Sequence, residues 1–584
     1  MNCKLGALSH QVGQQSAGLR PWKRCPFLQP WLQEGEGLTL WRDDMNRLPL
    51  TCLAGLLCGG LLQPLPAAAE TGNDPYGEKL GTVQWPTSCT SAVQPQLERG
   101  LALLHHMTYR GARATFEAVA MQEPDCAMAY WGQSMTHIHP LWSDPPSEES
   151  FQQGLSLAEK AAMQTDLTER EEAMVAALQR YWAVGRGKDE STNLEAFADG
   201  WEQALKQFPG DPEIRSFTAL AVLATADPGD KSYRVQKQAA AIAAPVLTQV
   251  PDHPGAHHYI IHAHDLPTLA GDALETARSY GDIAPNVPHA LHMPSHIFTR
   301  LGLWEESVEM NMRSAEAALQ HPAGDAVSLH YLHALDYLAY AYLQQGNPEA
   351  AAEVAAVMEG LEEPLQTHLA SGYTLAAVPA RIALEQQRWQ EAADVAVGSP
   401  ERFPWQKFPA MEAISHFSRS LGASRSGQYD RAAAELQRLV QLEAAAKEAS
   451  PYWGKQVAVM QQSARAWLLF SQGDEEGALA AMKAAAALEA STEKHAVTPG
   501  EVLPAQELLG DMLMELDRPA EAYQAYAAVL DRSPRRLNSL YGAGRSAEAQ
   551  GNKALARIHY TDLVTMVDSN SSSPRIEHAR SFLQ

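Results

Sequence analysis

Histidine is the residue that stands out for chemistry. The stretch HHYIIHAHDLP, His257 to Pro267, places four histidines within eight residues, and HALHMPSHIF, from His289 to Phe298, places three within eight. Eleven of the 21 histidines fall between His253 and His333, so the clustering asks for a cause. On a helix His258, His262 and Asp265 share one face, and His289, His292 and His296 share another. Neighbouring helices stand about 8–10 Å apart, which lets imidazoles from both converge on one ion at about 2.0–2.1 Å per bond. The expected metal set is therefore His258, His262, His292 and His296, with Asp265 and His289 as further ligands or as groups that orient the imidazoles. His330 and His333 form a third pair in the following segment. The competing structural reading makes these histidines polar punctuation, capping helix ends and bonding to carbonyls around Pro267 and Pro294.

The same residues limit the reaction. H-x-x-x-H occurs at His258/His262 and at His292/His296, but a zinc peptidase needs a glutamate directly after the first histidine, and here Tyr259 and Met293 follow. Zinc and copper both suit imidazole, and Met293, Met310 and Met312 would add soft donors for copper, although core packing explains methionines on helices equally well. The chain carries no phosphate-cradling G-x-x-x-x-G-K-[ST], no G-x-S-x-G elbow and no C-x-x-C-H for haem attachment.

The elements that must position the histidines are helical. Alanine, leucine, glutamate and glutamine dominate, β-branched residues are sparse, and 584 residues exceed what one compact core supports, so an all-α repeat array is expected. Near the C-terminus Gly510 matches Gly544, Asp517 matches Gly551, Ala522 matches Ala556 and Tyr526 matches Tyr560, each pair 34 residues apart. That period is the tetratricopeptide period. The turn signature, a turn residue followed five positions later by a small one, extends upstream as Gly302/Ser307, Gly346/Ala351, Gln387/Ala392, Gly427/Ala432 and Gly473/Ala478. The steps between turns are 44, 41, 40, 46, 44 and 34 residues, which makes the array degenerate. In this register 254–265, 289–301 and 328–345 are first helices of consecutive units, the helices that line the concave side of such a solenoid. Further upstream Tyr109-Arg110-Gly111-Ala112 is expected to form the turn of a hairpin, and hairpins are expected from about residue 93 to the C-terminus.

The phrases EPDCAMAYWGQSM, HHYIIHAHD and APNVPHALHMPSHIFTRLGLWEESVEMN, with the C-terminal repeats, resemble a group of bacterial tetratricopeptide-repeat proteins that are often exported. The resemblance covers most of 85–345 by motif and the rest by repeat character. It implies an all-α, tetratricopeptide-like α-α superhelix, a solenoid of degenerate helical hairpins, and it transfers no catalytic residue.

From Met45 the chain has a charged Arg47, an apolar run from Leu48 to Leu62 and a small-residue site at Ala67-Ala68-Ala69, the pattern of a secretory signal peptide. Residues 1–44 then correspond to an over-extended start and 45–69 to the signal peptide. An extended segment follows at 70–92, then N-terminal hairpins at 93–250, histidine-rich central repeats at 251–345 and C-terminal repeats at 346–584. Neither Cys52 nor Cys58 follows a small residue as a lipid-anchoring signal requires. Past the leader two cysteines remain, Cys89 and Cys126, and in an exported protein such a pair is expected as a disulfide. The formal charge of -24 is spread along the chain without a basic stripe, which argues against nucleic acid and anionic membranes as partners.

Together these features predict an exported scaffold, periplasmic or secreted, with no stable membrane span after signal cleavage. Its groove would bind a protein or peptide partner or a small ligand, with a histidine site for a divalent metal, zinc or copper. Binding is expected ahead of catalysis, and the alternative is a metal-dependent enzyme with a histidine-coordinated ion in the central repeats.

Overall fold

The computed structural model describes residues 76–142, 144–186, 189–571 and 573–584. The expected over-extended start and signal peptide lie outside them. Helices run from Gln94–His105 to Pro574–Leu583, and among the described residues there is no β-strand. The fold is all-α, a tetratricopeptide-like solenoid of degenerate hairpins.

The turn register explains why. Gly302, Gly346, Gln387, Gly427, Gly473, Asp517 and Gly551 all adopt positive φ, between 54° and 86°, and each ends a first helix. A left-handed residue there lets the chain reverse while late carbonyls still find donors. At Gly302 the requirement is doubled, because an added Cβ would also run into the carbonyl of Pro534. The small residue five positions on, Ser307, Ala351, Ala392, Ala432, Ala478, Ala522 or Ala556, is fully buried in every case, where the second helix meets the first. In the last two units a Cβ at Gly510 or Gly544 would collide with the ring of Tyr526 or Tyr560, so glycine on one helix makes room for tyrosine on its mate.

Two local expectations need correction. The upstream turn lies at Met107, φ 54°, and Tyr109 to Ala112 are the first turn of the helix Tyr109–Gln122. The expected helix 289–301 is two helices, Pro288–His292 and Pro294–Leu301, since Pro294 has no N–H to continue the ladder. Met293 between them keeps helical angles, φ -54° and ψ -38°, so His292 and His296 still share a face.

First helices of successive units stack on one another: Leu329–Gln344 packs on Leu369–Glu385, which packs on Pro409–Arg425, and that on Pro451–Ser471. The C-terminal repeats return to the middle of the chain. Trp304 Nε1 donates to the Arg535 carbonyl at 3.1 Å, Leu537 N–H to Gln344 Oε1 at 3.0 Å and Asp568 N–H to the Gln345 carbonyl at 2.9 Å. Trp304 and Tyr340 share an apolar cluster with Leu537, Leu540 and Tyr560. At the other end the segment before the first helix buries Leu80 and Trp85 in the large N-terminal core, and Cys89 is joined to Cys126.

Candidate metal centre

The helix Pro254–His264 starts where His253 caps it: His253 Nδ1 accepts from Ala256 N–H at 3.1 Å, and Pro254 opens the first turn. Pro288 opens the next histidine helix in the same way. These short helices, with Leu329–Gln344, bring six of the central histidines into two triads. His258, His262 and His289 form one, and His292, His296 and His333 the other. Within each triad one nitrogen from every ring lies within 4.8 Å of the others.

The second triad has the sharper geometry. Asn311 Nδ2 donates to the Ser307 carbonyl at 2.7 Å, which turns its Oδ1 toward His292. His292 Nδ1–H therefore donates to Asn311 Oδ1 at 2.7 Å, and His296 Nδ1–H donates to Asp265 Oδ2 at 2.9 Å. With both Nδ1 protons committed, the two Nε2 lone pairs face each other at 3.0 Å. The His333 ring lies 4.2 Å from that of His292, tilted by 51°, and its buried Nδ1 makes no hydrogen bond.

In the first triad His258 Nδ1–H donates to the His105 carbonyl at 2.7 Å, leaving Nε2 to face His289 Nε2 at 3.1 Å. His289 Nδ1 and His262 Nε2 are buried with no hydrogen-bond partner. The triads adjoin, with 6.4 Å between the rings of His289 and His292 and 5.9 Å between those of His262 and His296. The aromatic wall around them is the Trp142 ring, 5.4 Å from His289, and Tyr337, 4.7 Å from His292.

Burial is the first cause of depressed histidine basicity here. It pushes His258, His289, His292 and His333 well below their ordinary range and His262 to about 3, with neighbouring imidazoles opposing any second charge. His296 is lowered too, burial outweighing the attraction of Asp265. All six are neutral at neutral pH, which is the form that ligates metals.

Asp265 orients its neighbour. Its carboxylate also takes Arg300 Nε at 2.9 Å and Lys494 Nζ at 3.2 Å, so its oxygens are committed and the expectation of Asp265 as a ligand gives way to its orienting role on His296. His289 joins His258 and His262 in the first triad of candidate ligands. The four histidines expected around one ion divide instead, His258 and His262 with His289, and His292 and His296 with His333. The methionines stand apart: Met310 Sδ accepts from Arg313 and Met312 Sδ from Tyr342, while Met293 lies in the apolar core. His257 and His264 are punctuation, bonded to the Pro251 and Ile260 carbonyls at 2.8 Å each.

A third buried cluster, His105, Glu213 and His253, escaped the sequence reading of chemistry. Glu213 Oε2 accepts from His105 Nε2–H at 2.9 Å and His253 Nε2–H at 3.1 Å, and Oε1 accepts Gln84 N–H at 2.7 Å. Tyr259 OH donates to His105 Nδ1 at 2.9 Å. The adjacent pair His105-His106 was the one available signal. Its partners lie more than 100 residues away, Glu213 at a separation of 108 and Tyr259 at 154.

The chain's own segment 491–504 lies against first helices. Tyr337 OH donates to the Ala496 and Thr498 carbonyls, at 3.2 and 3.1 Å, Arg381 donates to the Gly500 carbonyl at 2.7 Å, and Lys494 reaches Asp265. Glu493 anchors the segment, accepting from Lys231 at 2.5 Å and Tyr233 OH at 2.6 Å. An internal segment thus covers this part of the first helices.

Residues 507–573 match the tetratricopeptide repeat family. Among solved structures, a monomeric mutant of IFIT1 with Gppp-AAAA is similar at 12% identity and TM-score 0.36, over 82% of this chain and 100% of that one. The human IFIT1 dimer with m7Gppp-AAAA follows at 14% and 0.34, over 72% and 87%, and yeast Tom70 at 11% and 0.28, over 84% and 95%. No curated protein matches the chain. The helical register and the matched repeats define the class, a tetratricopeptide-like solenoid. Among the described residues no helix is long and apolar enough to cross a membrane.

Proposed function

We propose that the protein is an exported tetratricopeptide-like scaffold that holds a transition-metal ion, zinc or copper, through His292, His296 and His333. One observation carries the reading: the Nε2 lone pairs of His292 and His296 face each other at 3.0 Å while both Nδ1 protons are committed elsewhere. Two nitrogens bound to one ion at about 2.0–2.1 Å stand about 2.9–3.4 Å apart for ligand angles between square and tetrahedral. A proton could sit between them only by charging an imidazole, which burial opposes more strongly than Asp265 favours it. Asn311 and Asp265 supply the orientation that metal-ligating histidines usually receive from neighbours.

The Cys89–Cys126 bond supports export, because disulfides persist in oxidising compartments. The groove beyond segment 491–504 is the surface for a protein partner. Metal analysis of purified, untagged protein tests the centre: bound zinc or copper is expected, and His292→Ala with His296→Ala should remove the ion held by this triad while helical content stays intact. A folded protein that carries no metal and takes none up on reconstitution ends the proposal. N-terminal sequencing of the exported protein should begin at or near Glu70, and recovery of residues 1–44 in mature protein would refute the leader.

A metal-dependent enzyme is the second reading, favoured by the donor set itself. Three protein nitrogens leave a coordination position open for water or substrate, and His262 beside the centre is only partly buried. A screen of metal-loaded protein for hydrolase and oxidase activity, with the His296→Ala variant as blank, separates it from a binding role.

A further inference from the structure

The first triad poses its own problem. His258 Nδ1 is committed to the His105 carbonyl, yet His262 Nε2 and His289 Nδ1 are buried polar atoms with no hydrogen bond. Leaving such atoms unsatisfied costs about 1–3 kcal/mol each. In the saturated cluster the Nε2 atoms of His105 and His253 have such a partner in Glu213. The nitrogens of His258, His262 and His289 converge within 4.8 Å, a span that small ring rotations can close around one ion. This triad also abuts the other, through the paired rings of His289 and His292 and of His262 and His296.

Charge narrows the choice of ion. All six ligands are neutral imidazoles. The nearest buried carboxylate, Asp265, is held by Arg300 and Lys494, so it brings no uncompensated negative charge to the centre. The penalty for burying an ion grows steeply with its charge. Two divalent ions side by side would place four positive charges next to Lys494 and Arg300, whereas two monovalent ions place two. Among first-row metals that suit imidazole, copper is the one with a stable monovalent state.

We infer that the nest is a two-ion centre, with a second ion on His258, His262 and His289, and that it is loaded as a pair of copper(I) ions. This rests on the metal reading of His292, His296 and His333 and adds a second site, a stoichiometry and an oxidation state to it. The side chain of His262, at the less buried edge, is the entry point for the second ion. Trp142, packed over His289, and Tyr337, packed over His292, close the remaining sides.

The experiment is an anaerobic titration of metal-free, full-length protein with copper(I) against a chromophoric chelator, with zinc titrated in parallel. Wild type should take up two equivalents of copper(I) and bind it more tightly than zinc. His258→Ala should lower the copper uptake to one, and His262→Gln, at the partly exposed position, should do the same if His258→Ala fails to fold. Circular dichroism reports folding in each variant. One equivalent in wild type, unchanged by His258→Ala and lost with His296→Ala, overturns the second site and leaves the proposed function standing. No uptake of either metal overturns both. Two equivalents of zinc without preferential copper(I) binding keep the second site and overturn the copper assignment.

Discussion

Two clusters of three buried ionisable side chains, each with at least two histidines, have opposite characters. In His105, Glu213 and His253 every imidazole nitrogen and both carboxylate oxygens have a partner of the complementary kind. In His292, His296 and His333 two lone pairs meet at 3.0 Å and a third nitrogen has no partner. Burial is alike, so it does not separate a saturated histidine from a candidate ligand. The balance of donors and acceptors does. A saturated cluster stabilises the fold as it stands, and an unsaturated one leaves lone pairs that the proposed cation would fill.

The largest expected effect breaks the saturated cluster. Glu213→Ala leaves two buried imidazole N–H groups and the Gln84 N–H without an acceptor, and should destabilise by about 3–5 kcal/mol, measured by urea denaturation. Acid should act in the same direction. Burial alone would raise the Glu213 carboxyl, but His253 and His105 outweigh it and hold it well below the usual carboxylate range. A depressed folded value contributes stability above the unfolded carboxylate range that is lost as pH falls through the folded one. Wild type should therefore lose stability in acid more steeply than Glu213→Ala, and parallel curves would contradict the assignment.

Next in size is the response to metal. An ion supplied at 100 times its dissociation constant should stabilise the protein by about 2.7 kcal/mol, read as a rise in Tm. His292→Ala with His296→Ala should reduce the rise by that ion's share, and His253→Ala should keep it whole. A rise of equal size in the double variant would erase the distinction between the clusters.

A smaller effect sharpens the same contrast in metal-free protein. His333→Leu removes a buried nitrogen that has no partner, so it should change stability by less than about 1 kcal/mol, whereas His253→Leu strips a donor from Glu213 and should cost about 1–3 kcal/mol. Denaturant midpoints of the two variants compare them directly, and equal losses would count against the donor and acceptor argument.

The smallest effect lies outside both clusters, at His416. Burial lowers its basicity, but hydrogen bonds and attraction from Glu412 and Glu435 outweigh that and hold it above the ordinary value. A raised folded value contributes stability fully present below the unfolded histidine range and lost as pH rises through the folded one. His416→Gln should remove that decline on the alkaline side by a few tenths of a kcal/mol, visible as a flatter Tm profile between neutral and alkaline pH.

Much of the fold was legible because its determinants are local. A residue in the left-handed region and a small residue five positions later are enough to mark each hairpin, and all seven marked turns from Gly302 to Gly551 have that backbone geometry. The one upstream turn misplaced, at Tyr109 to Ala112, has Met107 in the left-handed position, a residue whose type does not announce it. The candidate ligands were legible as faces: helical periodicity aligned His258 with His262 and His292 with His296, and the Pro294 break did not disturb the second pair.

Composition and spacing by themselves determined an all-α solenoid, its turn register, the cysteine pair and the histidines that line one face of each short helix, since each depends on residues a few positions apart. Only the tertiary structure decided how the histidines divide into triads. It gave His333 to His292 and His289 to His258, turned Asp265 toward Arg300 and Lys494 from 229 residues away, and matched His105 to Glu213. The physical reason is that a helix fixes which way a side chain points and nothing about what it meets. The partner is set by how helices stack across the solenoid, and whether an imidazole becomes a hydrogen-bond donor or a candidate ligand depends on the acceptor that stacking places at its other nitrogen.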